Sequence, residues 1–127
     1  MRKLVFVLAA AMFLLVSCDN YGKKVKINDT LEIFVKGDSV TENDAKRLGK
    51  YIADLSGDAK NEKSLQLLKD SGKYVVRMVV DKGKMNGDTA LDSSFTALKT
   101  QIETEVFKGQ PIKFTITDNR FNEIKSY

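Results

Sequence analysis

The chain has 127 residues, with 21 Lys and Arg against 17 Asp and Glu and a formal charge of +4, a length that fits one domain able to bury its own core without staples. It has no histidine and one cysteine, which excludes Ser-His-Asp and Cys-His catalysis, zinc sites of the ordinary type and an intrachain disulfide. The positive excess is too small to read as a nucleic-acid footprint.

Met1-Arg2-Lys3 opens the chain, and an apolar run from Leu4 to Val16 leads into Ser17-Cys18-Asp19-Asn20. A basic head, a short apolar body and a small-residue exit predict a secretion signal over residues 1–17. The run falls short of the ~20 residues that a membrane-spanning helix needs. Leu15-Val16-Ser17-Cys18 resembles the lipobox of bacterial lipoproteins. That resemblance implies cleavage before Cys18 and a diacylglycerol on its thiol, so that the protein is expected on the bacterial envelope, at the outer membrane, facing the periplasm or the exterior. The lipid would be an anchor and not a cofactor. Removing residues 1–17, which carry Arg2 and Lys3, leaves 110 residues with 19 basic against 17 acidic, a balance of +2. Residues 18–28 then read as the anchor cysteine and a polar linker. Its Lys23, Lys24 and Lys26 could rest on anionic headgroups, although a solvated linker is the favoured expectation.

The domain is expected over residues 29–127. Leu31 to Lys36 alternates as a strand, with Leu31, Ile33 and Val35 on one face, and ends at Gly37-Asp38. Thr41 and Asp44 have the spacing of a capping box, with Val40 and Ala45 as the hydrophobic staple beside it. Ala45, Leu48, Ile52 and Leu55 continue on one helical face up to Gly57. After a polar stretch from Asp58 to Lys63, Ser64–Leu68 and Tyr74–Val80 read as a hairpin across Asp70-Ser71-Gly72-Lys73. A Lys-, Gly- and Asn-rich loop, Asp81 to Gly87, lacks both phosphate-loop and calcium-loop spacing. Asp88 or Thr89 can cap a second helix with Leu91, Phe95, Leu98, Ile102 and Val106 on one face, closed by Gly109 and Pro111. Ile112–Thr117 alternates again, and Asp118–Tyr127 reads either as a helical turn or as a short edge element.

Strand, helix, strand, strand, helix, strand is the split βαβ pattern. It predicts an α+β, ferredoxin-like sandwich: a four-stranded antiparallel sheet with two helices on one face. Val40-Thr41, Ala45, Leu48-Gly49, Ser64-Leu65-Gln66-Leu67, Tyr74–Val80, Glu105-Val106-Phe107 and Pro111-Ile112 resemble an uncharacterised small module of Bacteroidetes-type envelope proteins. The resemblance spans roughly residues 31–117 and implies a fold and a setting, with no functional residue to carry over.

No spacing singles out a catalytic pair among Asp38, Asp44, Asp81, Asp88 and Asp92, each of which suits a turn or cap. No catalytic residue, metal ligand or cofactor is therefore expected, and the chain is read as not an enzyme. Period-two alternation puts Leu31, Ile33, Tyr74, Val76, Met78, Ile112, Phe114 and Ile116 under the helices. It leaves Phe34, Lys36, Leu68, Val75, Arg77, Val79 and Lys113 on the open face, with Glu32 and Thr115. An aromatic and an arginine among aliphatic neighbours have the composition of an interaction surface. The expected partner is an envelope protein, peptide or glycan, with no nucleic acid. Two other readings stand beside it: a carboxylate-dependent glycan hydrolase and a structural spacer. A competing expectation for the face is that the C-terminal segment folds over it through Phe121 and Ile124.

Overall fold

The computed structural model describes residues 21–56, 62–81 and 89–127. Residues 1–20, with Cys18 and the expected 1–17 signal, residues 57–61 and residues 82–88 lie outside the described residues. The elements in chain order are β1 (Lys23–Lys26), β2 (Leu31–Val35), α1 (Glu42–Ser56), β3 (Lys63–Asp70), β4 (Lys73–Val79), α2 (Thr89–Glu105), β5 (Ile112–Thr117) and β6 (Glu123–Ser126).

The six strands form one mixed sheet in the order β1-β2-β3-β4-β5-β6. The pairs β1–β2, β3–β4 and β5–β6 are antiparallel, while β2–β3 and β4–β5 are parallel. This overturns the four-stranded antiparallel ferredoxin-like sheet. In that fold each helical crossover skips a strand position. Here β3 bonds directly to β2, through Lys36 N to Leu67 O at 3.0 Å and Lys63 N to Thr30 O. The four expected strands and both helices are present; their neighbours and two further strands differ.

β1 lies within the stretch read as linker, so the domain begins before residue 29. Val25 is buried and pairs with Ile33. A tight turn joins β1 to β2, in which Asn28 Oδ1 accepts from Thr30 N at 2.8 Å, an Asx turn that lets Ile27 N reach Leu31 O at 2.9 Å. Within the 118–127 segment, Glu123–Ser126 form an edge strand. The β3–β4 turn reduces to Ser71-Gly72, both at positive φ (53° and 79°), as two-residue hairpins require.

The capping box forms as expected: Thr41 N donates to Asp44 Oδ2 and Asp44 N to Thr41 Oγ1, both at 3.1 Å. Ala45, Leu48 and Ile52 are buried, but Leu55, expected on the same face, is 52% exposed; α1 ends at Ser56 and its last turn overhangs the core. In α2, Ile102 is buried and Phe95 and Leu98 pack against the core. Thr96, Thr100 and Thr104 on the exposed side return their hydroxyls to the carbonyls four residues back.

Ile33, Leu65, Met78 and Ile116 lie in one row of strand partners, and Val35, Leu67, Val76 and Phe114 in the next. Both rows belong to the core beneath the helices. Arg47 ties the two helices on this face, donating to Val106 O at 3.0 Å and to Asp44 Oδ1 at 2.6 Å. The two crossovers advance the same way across the sheet between strand pairs that run oppositely. Two helices on one face therefore give connections of opposite hand, so one departs from the right-handed rule obeyed in about 98% of such units.

Candidate functional site

The face away from the helices carries a line of strand partners running Lys24, Phe34, Gln66, Arg77, Thr115, Ser126. Its centre is polar and closed. Gln66 is 1% exposed; its amide nitrogen donates to Tyr21 O at 2.8 Å and its oxygen accepts from Arg77 Nη1 at 3.0 Å. Both ends of the amide are thereby satisfied, as burial demands. One guanidinium nitrogen is spent on fixing Arg77, and the planar fork keeps further donors in a defined orientation.

Beside this pair sit three rings in mutual edge-to-face contact. Tyr21–Phe34, Tyr21–Phe121 and Phe34–Phe121 have centroids 6.1, 5.4 and 5.7 Å apart with interplanar angles of 75°, 71° and 70°, the geometry that ring quadrupoles favour. Tyr21 reaches the face because Gly22 lets the chain turn over the sheet. Its φ is +101°, and a Cβ there would collide with the Val35 carbonyl. Phe121 arrives from the β5–β6 turn. Asp118 Oδ1 accepts from Arg120 N at 2.9 Å and from Asn122 N at 3.0 Å, and Phe121 takes φ 61°. The Asn122 amide first and then that of Arg120 hold the Asp118 carboxyl below its usual range.

The flanks carry paired charge. Lys24 meets Glu32 at 2.9 Å and Lys113 meets Glu123 at 3.3 Å, while Ser64 donates to Glu32 at 3.0 Å. Glu123 is held below its ordinary pKa by the Ser126 hydroxyl first, then by Lys113, with the charge of Arg77 adding to the effect.

Of the residues expected on this face, Phe34, Leu68, Arg77 and Val79 are half-buried, Val75 is buried, and Lys36 and Lys113 are exposed. Leu68, Val75 and Lys113 share one row, Phe34 and Arg77 the next, and Val79 pairs with Thr117 beyond it. The competing expectation holds by half. Phe121 does fold onto the face, whereas Ile124 packs against the core on the helix side. Gln66 and Tyr21 were missed. The alternation that puts Leu68 on the open face also puts Gln66 there, so Gln66 was readable; Tyr21 lies in a stretch taken for linker and gave no signal.

Of the acids expected as turns or caps, Asp44 caps a helix, whereas Asp92 pairs with side chains of the C-terminal segment. Asp44 serves α1: burial raises its pKa, but the Thr41 amide and Arg47 outweigh it and the net shift is downward. Asp92 accepts from the Tyr127 hydroxyl at 2.6 Å and pairs with Lys125 at 2.9 Å. A polar depression of about 370 Å³ between β1 and the start of β3 is lined by Asp29, Glu32 and Lys63, among others, and its Asp29 and Glu32 face Lys26 and Lys24 as ion pairs. Among the described residues, no group of three or more His, Cys, Asp or Glu could hold a metal ion, and no helix is long and apolar enough to cross a membrane.

No curated protein and no solved structure matches the chain. Residues 24–126, a span that opens inside β1 and closes at the end of β6, match AF_1994_N, described as a family N-terminal domain. The match covers both helices and all of the six strands but Lys23, and brings no activity with it. On that coverage the chain belongs to the AF_1994_N family.

Proposed function

We propose that this chain is a non-enzymatic lipoprotein of a Bacteroidetes-type envelope, held through lipid on Cys18 at the outer membrane, and that it binds an envelope component through the sheet face opposite its helices. One observation carries the reading. Arg77 is fixed by a fully buried Gln66 and lies beside the Tyr21–Phe34–Phe121 cluster, on the side the helices leave uncovered. An oriented guanidinium next to rigid aromatics is the composition of a recognition surface. Several acyl methylenes, each contributing about 0.8 kcal/mol on burial, would hold the domain at its membrane.

The test is photocrosslinking in the native envelope with the lipid-anchored protein, as wild type and as Arg77→Glu, scoring protein, glycan and lipid adducts separately. Loss of an adduct in Arg77→Glu, with the thermal transition of the variant retained, is the expected result. Identical adduct patterns from both proteins would remove the face from the proposal.

A further inference from the structure

The geometry points to the lipid headgroup layer of the anchoring membrane as what this face binds, an inference that rests on the anchor and the face proposed above. The argument is one of reach. With Lys23–Lys26 paired in β1, the expected linker of residues 18–28 shrinks to the few residues before Tyr21. The carbonyl of Tyr21 is held at 2.8 Å by Gln66, a residue of β3 in the interior of the six-stranded sheet. The chain therefore leaves the domain from within the face and not from an edge. Cys18 precedes Tyr21 by three residues, which span at most about 10 Å at ~3.3–3.6 Å per residue.

That length decides the orientation. From β3 to the outer strand β1 is two strand spacings, about 10 Å, so the tether is used up before it could carry the anchor round to the helix side. A lipid on Cys18 consequently brings headgroups within about 10 Å of the Tyr21–Phe34–Phe121 cluster.

The composition of the face suits that neighbour. Aromatic rings favour the membrane–water boundary and basic side chains favour anionic headgroups. Tyr21 and Phe34 supply the first; Lys36 is exposed and Arg77 is half-buried and oriented. The acids Glu32 and Glu123 are each answered by a lysine, Lys24 and Lys113, so Lys36 and Arg77 leave the face with net positive charge.

The test uses the lipoprotein purified from its own membrane and reconstituted in phosphatidylglycerol–phosphatidylcholine vesicles. Cys18 is the only cysteine and is acylated in the proposed form, so Lys113→Cys and, on the exposed side of α1, Lys50→Cys each offer one thiol for a fluorophore. A quencher attached to the lipid should dim the label at 113 several-fold more than the label at 50. Adding Lys36→Glu and Arg77→Glu should bring the two towards equality. Equal quenching in the parent pair overturns the docking. The mass of the N-terminal peptide separates the two readings: an unmodified Cys18 overturns the anchor itself, whereas acylated Cys18 with equal quenching overturns only the docking. A label at 113 that no lipid quenches but that crosslinks to a protein in native envelope also overturns it, in favour of a protein partner.

Discussion

A single amide ties the first described residue of the chain to the middle of the sheet. Gln66 bonds Tyr21 on one side and Arg77 on the other, and a buried amide left with half its partners costs about 1–3 kcal/mol. The same logic closes the other end of the chain. Tyr127 donates to Asp92 at 2.6 Å and packs among Phe95 and Phe114. Burial first, then the hydrogen bond and the charge of Asp92, push its phenol from 10.0 up to about 12. A raised pKa in the folded state means that the contribution is complete below the ordinary value and is lost as pH rises through the folded one. Stability measured by urea unfolding should therefore fall more steeply between pH 10 and 12 for wild type than for Tyr127→Phe. Asp92 is shifted the opposite way, held low by the Tyr127 hydroxyl and then by Lys125. Its contribution is present at neutral pH and lost on acidification, and Tyr127→Phe should blunt that loss too. Equal pH dependence of the two proteins in both ranges would mean that the contact is not made in solution.

At the scale of elements, periodicity and capping residues were sufficient where one face meets one core. The α1 start follows from Thr41 and Asp44, β5 from its alternation, and the β3–β4 turn from its Gly. Leu55 shows the limit: helical spacing gives the angle of a residue about the axis and says nothing of whether the sheet extends beneath that turn. β1 shows another, since three lysines around a lone Val25 read as solvated chain when the buried partner, Ile33, is unseen. Gly49 was one of the residues carrying the family-like pattern, and the structure supplies its reason. A Cβ at 49 would overlap the side chain of Ile27, so the glycine admits the end of β1 against α1. Replacing Gly by Ala in an exposed helix gains about 1 kcal/mol, while overpacking costs about 1–3 kcal/mol. Gly49→Ala is expected to destabilise the domain, and Ile27→Ala to convert the same substitution into a neutral or stabilising one. A double-mutant cycle followed by thermal unfolding checks this; additivity of the two changes would show that the close approach does not govern position 49.

At the scale of the molecule, alternation correctly divided the inner strands into a helix side and an open side, yet it carried no information on which strand lies beside which. The split βαβ order and the order found have the same strand–helix succession over β2 to β5 and differ only in where the chain returns after each helix. That choice is made by non-local pairing, which local residue patterns do not encode. Among the described residues the sheet is left open at both ends, and its edges need protection. β6 is a four-residue strand with a register shift against β5, and both shortness and irregularity discourage a further strand. β1 is regular and relies on charge: Lys23, Lys24 and Lys26 are exposed and held by Glu42, Glu32 and Asp29. Exposed pairs of this kind contribute little to stability, so their larger effect should be on association. Lys24→Val with Lys26→Val would leave an apolar, β-prone edge lacking two of its three lysines. The doubly substituted protein should keep a cooperative unfolding transition and yet sediment as dimers or larger species at concentrations where wild type stays monomeric. If both proteins remained monomeric, the lysines would not be what guards this edge.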